Sequence, residues 1–353
     1  MGIAAPPAVP AAARDWRASL RSDPLPWLLD PSAPAVRHLA LRDLLDRPAG
    51  DPDVVEARRA AMGADPIAAI LAAQRPEGFW EKPGAGYATK YRGTVWQLMF
   101  LDQLGADPAD ERVQRACDYV LDHSLAATGG FGASGQLDRP PPPSAVLHCL
   151  NGNLLRAVIG FGRLDDDRVR RAVEWQARAI LGEGVERWYA SGTSGPGFAC
   201  AANEGLSCGW GAAKAVLGLA RIPGERRSPL VHRAIEAGVA FLLGRDPAVA
   251  DYPMGWCNLR PSSSWFKLGF PSGYVTDVLQ VLEALSELGS ARDARLAGAR
   301  AWLLAKQDDR GRWRNQYAYN GKTWVDFERQ GEPSRWVTLR ACRVLRRMEP
   351  ATD

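Results

Sequence analysis

The chain has 353 residues, 46% of them hydrophobic and 24% charged, with a formal net charge of +4. That is enough apolar material for a large core in one or two domains, and so small a charge, with arginines alternating with acids along helices, is no nucleic-acid-binding signature. No apolar run approaches a membrane span, and six cysteines without dense spacing do not make a secreted disulfide framework, so a cytoplasmic location is expected, with peripheral membrane contact left open.

Residues 1–13 are Ala/Pro-rich and lack the basic start and apolar core of a signal peptide. A partly disordered leader and a first outer helix at 12–20 are expected within 1–29, and a single domain over 30–350. Two kinds of helix then alternate. Segments 36–45, 94–104, 149–161, 208–220, 274–288 and 335–348 are poor in charge and apolar nearly all round, as buried helices are. Segments 54–73, 111–123, 167–181, 230–243 and 293–306 are Arg/Glu-rich and amphipathic, with one solvated face. The buried kind recurs roughly every 55 to 65 residues, a long-period repeat. Six inner helices with outer partners predict an all-α fold, a closed (α/α)6 toroid of helical hairpins. The stretch Leu164-Asp-Asp-Asp167 is expected to be a turn with a helix N-cap.

A second repeat lies between the helices. Gln74, Gly78 and Trp80 have the same spacing as Gln307, Gly311 and Trp313, each after an apolar helix end, and weaker copies stand at Gly129-Gly-Phe131 and Gly195-Pro-Gly-Phe198. A glycine stops the helix, an aromatic folds back over its end, and the glutamine is placed to bond backbone groups left open there. These segments resemble the Gln–Trp repeats of the squalene-hopene cyclase and protein prenyltransferase superfamily. The resemblance covers roughly residues 30–348 and implies an α/α toroid whose inner-helix N-termini face a central cavity. The tail from Trp324 to Arg340 is similar to that of bacterial single-domain members.

In such a cavity the first turns of the inner helices would present Tyr91, Thr94 and Gln97; His148, Cys149, Asn153 and Arg156; Cys208, Trp210 and Lys214; Tyr274, Asp277 and Gln280; and Arg335, Trp336 and Thr338. The alternative for each residue is a satisfied core polar or a helix cap. Cys149, Cys200 and Cys208, with His148 beside them, are soft donors that suit tetrahedral zinc, against the reading of small buried core residues, which is the one adopted for Cys117, Cys257 and Cys342. The prenyltransferase resemblance implies a zinc cysteine at the Cys208 position, but Leu206 stands where that family has aspartate. It also implies a diphosphate-binding role for His148. Arg156 and Lys214 could add charge-assisted donors to a polar head, or Lys214 could pair with Asp277.

The Asp-x-Asp-Asp acid of the squalene cyclases is absent, which leaves Asp277 as the candidate acid if burial raises its pKa. Asp326 and Glu328 form a second acidic pair. Trp210, Trp265, Tyr274, Trp324 and Trp336 could stabilise a carbocation through their π faces. The expectation is therefore an enzyme of the terpenoid cyclase or prenyltransferase kind. Asp277 and His148 would be catalytic. Arg156, Lys214, Trp210, Tyr274, Asn153, Trp336 and Arg335 would hold an apolar, isoprenoid-like substrate. The alternatives are a zinc protein using the three cysteines and a non-catalytic toroid that binds an apolar ligand or a protein.

Overall fold

The computed structural model describes residues 15–184, 196–249, 252 and 262–349. After a 3-10 turn at Trp16–Ser19, the α-helices among them are α1 (Leu25–Leu28), α2 (Pro34–Asp43), α3 (Pro52–Met62), α4 (Ile67–Ala72), α5 (Thr94–Leu104), α6 (Glu111–His123), α7 (His148–Gly160), α8 (Asp167–Leu181), α9 (Gly209–Ala220), α10 (Pro229–Leu243), α11 (Val278–Glu287), α12 (Ala297–Ala305) and α13 (Arg335–Met348). They form the (α/α)6 toroid. In the inner ring α5 packs on α7, α7 on α9, α9 on α11 and α11 on α13. Helix α13 returns to α2, whose Leu39 meets Gly105 at the end of α5, and the ring closes. Outside it, α3 and α4, α6, α8, α10 and α12 each cover an inner neighbour. The two classes follow from coverage: residues 94–101 of inner α5 are all buried, whereas outer α6 buries one stripe that includes Val113, Ala116, Cys117 and Val120.

The outer helices share a start that the sequence spells out. Asp110, Asp166 and Asp293 cap the helices or turns that follow them by accepting from the backbone N–H of Arg112, Arg168 and Arg295, and those same arginines pair back onto the capping carboxylates. Asp166 belongs to the expected turn at Leu164–Asp167. The Gln–Gly–Trp segments fold alike. The indoles of Trp80 and Trp313 donate to the carbonyls of Ile70 and Leu303 at 2.7 and 2.8 Å, and their backbone N–H groups donate to the hydroxyls of Thr94 and Thr338 in the next inner helix. Gln307 bonds Leu304 at its own helix end, as expected, while Gln74 reaches across to the Arg112 carbonyl of the next hairpin. Gly78 has a positive φ of 101°, and a Cβ there would stand 2.7 Å from the Arg115 carbonyl oxygen.

Three sequence expectations are corrected. The helix expected at 54–73 is two, α3 and α4, because Gly63 and Pro66 interrupt it. The described part of the first outer helix is only the 3-10 turn Trp16–Ser19. The helix expected from residue 274 begins at Val278, because the chain before it has another task. Residues 268–276 enter the middle of the ring. Ser272 exchanges two hydrogen bonds with Gln103 of α5 (2.7 and 2.9 Å), Asn153 of α7 donates to Gly273 (3.1 Å), and Phe270 stacks on Trp336 of α13 with ring centroids 4.5 Å apart. The middle of the lumen is thus occupied by the protein's own chain. No helix of the described residues is long and apolar enough to cross a membrane.

Candidate active site

Helices α7 and α9 approach backbone to backbone. A Cβ at Gly152 would lie 2.3 Å from the Lys214 carbonyl oxygen, and one at Gly218 would lie 2.6 Å from that of Gly152. The small residues of 208–220 therefore serve this contact, and the one long polar side chain among them is enclosed. Lys214 has no exposed surface. Its Nζ donates to the Thr276 hydroxyl and, at 2.9 Å, to Gln280 Oε1. It forms no ion pair among the described residues; Asp277 pairs instead with Arg340 at 3.6 Å. Burial pushes the Lys214 ammonium down to about 8, against the opposing pull of the Cys149 and Cys208 thiols and Asp277.

The three cysteines share this neighbourhood. Cys208 is the N-cap of α9, its Sγ accepting from the Gly211 N–H at 3.4 Å. Ala199 and Ser207 pair as an antiparallel bridge, which brings Cys200 beside Cys208. The closeness of the Cys200 and Cys208 thiols lowers Cys200 to about 7 and raises Cys208; burial pushes Cys149 up to about 11. Among the described residues, no three His, Cys, Asp or Glu side chains converge as a metal site requires. As placed, Cys200 and Cys208 are neighbouring thiols with a third thiol nearby.

Aromatic side chains gather at the same end of the ring. Tyr274 packs edge-on to Trp210 at 5.7 Å, and the Lys90 ammonium stands 5.1 Å from the Tyr274 centroid and 5.7 Å from that of Tyr87. Tyr91, at a positive φ of 70°, lies 4.2 Å from Tyr319 and 5.0 Å from Trp96, and burial pushes its phenol up to about 12. The buried Trp210 Nε1 has no hydrogen-bond partner among the described residues.

Other expected site residues lie elsewhere. His148 opens α7, but its ring turns toward α8, with Nδ1 2.8 Å from Gln176 Nε2 and Trp175 and Phe198 alongside. Arg156 stands eight residues later, about 12 Å along the helix, where it pairs with Asp102 at 3.5 Å. Arg335 pairs with Asp30 at 3.0 Å and lies over the Trp27 ring on the outer side, and Trp336 is taken up by Phe270. Asp277 is the N-cap of α11, accepting from Gln280 N at 2.8 Å and Gly269 N at 3.1 Å. Burial raises its pKa while Arg340 opposes the rise. Trp265 is buried and donates to the Pro247 carbonyl; Trp324 donates to that of Arg92. Asp326 accepts from Gly321 N and Glu328 from Arg335 N, so each closes a turn. Cys117 and Cys342 are buried, and Cys257 lies outside the described residues.

Sequence reasoning passed over one buried charge pair. Arg340 of α13 makes a two-pronged bond to Glu283 of α11 at 2.9 and 2.7 Å and donates to the Gly269 carbonyl at 2.6 Å. The signal available was an arginine and a glutamate on otherwise apolar inner helices.

No protein-family model matches the chain, and no curated protein matches it. Among solved structures it is similar to the apo type II terpene cyclase MstE from Scytonema, at 17% identity over 90% of this chain and 87% of that one, with a TM-score of 0.42. It is also similar to an unsaturated glucuronyl hydrolase specific for heparin (10% identity, 90% and 85% covered, TM-score 0.47) and to a protein from Actinoplanes (15% identity, 80% and 97% covered, TM-score 0.31). At these values no activity is carried over to this chain, which stands as an (α/α)6 toroid with a buried lysine, three thiols and an aromatic wall at one pole.

Proposed function

We propose that the protein is an enzyme that takes an apolar, isoprenoid-like substrate with a polar or anionic head at the N-terminal pole of the inner ring. The observation that carries this is Lys214. A buried ammonium without a carboxylate partner keeps its charge at a desolvation cost, and such groups cluster at working sites. An oxyanion would supply the missing counter-charge, and Tyr274, Trp210, Tyr91 and Tyr87 offer π faces to a hydrocarbon or a developing cation. Two reactions fit. Cyclisation by alkene protonation would use Asp277 and would have to free it from Gly269, Gln280 and Arg340. Alkyl transfer would break the substrate's C–O bond, Lys214 donating hydrogen bonds to the departing oxyanion while a second bound nucleophile takes the alkyl group and gives up its proton to solvent, and we favour it. In either case residues 268–276 must give way for a chain to enter the lumen.

The test uses the full chain with farnesyl diphosphate as probe, followed by calorimetry and by mass spectrometry of material extracted from the purified protein. Wild type should bind the probe, and Lys214→Met should bind it about tenfold or more weakly with no fall in thermal midpoint. An unliganded protein that ignores the probe, or equal binding by the variant, points to a non-catalytic toroid or another substrate and sinks the reading. A second reading, zinc held by Cys149, Cys200 and Cys208, would require the three thiols to draw together, since as placed no three such donors converge among the described residues. Elemental analysis of the same preparation decides it: metal well below one equivalent, with none taken up on addition, removes it.

A further inference from the structure

At the opposite pole the C-terminal ends of all six inner helices surround a cavity of about 510 Å³. Its wall carries Arg42, Arg58, Arg156, Arg221, Arg343 and Arg347, and among acids only Asp43, Asp102 and Glu287. Asp102 is shared by Arg156 (3.5 Å) and Arg221 (3.3 Å), Asp43 by Arg343 and Arg42, and Arg58 reaches Asp107 at 3.3 Å. Arg347 forms no ion pair among the described residues. Gly160 lets α7 come down onto this arrangement, since a Cβ there would stand 2.5 Å from Asp102 Oδ1.

The competing explanation is that the arginines merely offset the partial negative charge of six helix C-termini, about half an elementary charge each. On charge alone that explanation suffices. It fails on donors, because carbonyls that used up the guanidinium groups would leave no N–H idle. Here the buried Nε atoms of Arg221 and Arg343, at two different helix ends, have no hydrogen-bond partner among the described residues, and that of Arg156 has only its 3.5 Å ion pair with Asp102. Buried unsatisfied donors call for acceptors, and guanidinium groups converging from several sides match a compact oxyanion in geometry as well as charge.

We infer that this pole is a binding site for a compact polyanion of the diphosphate kind, distinct in residues and position from the site around Lys214. Inorganic pyrophosphate is the probe, titrated calorimetrically into the full chain at low and high salt, with orthophosphate in parallel. Wild type should bind pyrophosphate more tightly than orthophosphate, and more weakly as salt rises. Arg347→Glu, an exposed change, and Arg221→Gln should each weaken binding about tenfold or more, with thermal melts confirming that the variants fold. Lys214→Met should bind pyrophosphate as wild type does. The assignment is overturned if wild type gives no binding at low salt, if both arginine variants bind undiminished, or if Lys214→Met is the variant that loses binding, which would place the anion at the other pole. The head of farnesyl diphosphate also fits the arginines, so its binding is measured with Arg221→Gln as well: a loss there with none in Lys214→Met fails the Lys214 reading and leaves this one standing, and a loss of pyrophosphate binding in Lys214→Met alone fails this one.

Discussion

A lysine ammonium moved from water into a helix interface loses hydration that two neutral oxygens replace only in part, and Lys214 should show this in its pH dependence. Its value in the folded chain, about 8, lies below the ordinary 10.5. Between those limits the unfolded chain binds more protons than the folded one, so stability rises with pH across that window, and below pH 8 the full penalty stands. The size is roughly 3 kcal/mol at 1.36 kcal/mol per unit. Lys214→Met should therefore be more stable than wild type at pH 7, with the gap narrowing toward pH 10.5; denaturant unfolding at pH 7 and pH 10 measures it. A constant gap would mean that the ammonium is not the destabilising group. That this lysine and Cys208 belong to one pole was legible in the sequence, because both sit on the first turns of an apolar helix. The role of Asp277 was not, since it depends on a loop that reaches Gly269 and Arg340 from a distance in the chain.

At the scale of elements, helix positions followed from periodicity, while their ends followed from caps and contacts. The inner helices at 94–104 and 335–348 were read with the bounds of α5 and α13, since apolar runs between glycine or serine starts leave little choice. The start of α11 was missed because Tyr274 and Val275 are apolar enough to continue the helical pattern, yet they follow a segment drawn into the lumen by Gln103, Asn153 and Trp336. The Asp-x-Arg starts of the outer helices were in plain view, but recognising them required knowing that the arginine turns back on the cap. The contact of α7 with α9 gives a direct test. Gly218→Ala places a methyl group 2.6 Å from the Gly152 carbonyl oxygen, a backbone atom that cannot swing aside. A loss of about 1–3 kcal/mol is expected, against a small gain if only helix propensity mattered. Chemical denaturation gives the sign.

Across the whole molecule the ring is not equally strong at every joint. Between α7 and α9 backbones meet, whereas where α13 rejoins the N-terminal hairpin the half-exposed pairs Arg343–Asp43, Arg346–Asp46 and Arg335–Asp30 contribute to the seam. Ion pairs of this kind add little, so local opening should begin there. Native-state hydrogen exchange should find α2 amides exchanging faster than those of α7 and α9, more so at high salt; uniform protection around the ring would contradict this. The segment 268–276 has one more consequence. With Phe270 against Trp336 and Gly269 tied to Arg340, it lies between the aromatic side chains of one pole and the arginines of the other. As long as this segment stays in place, a guest at either pole would have to enter and leave from its own side.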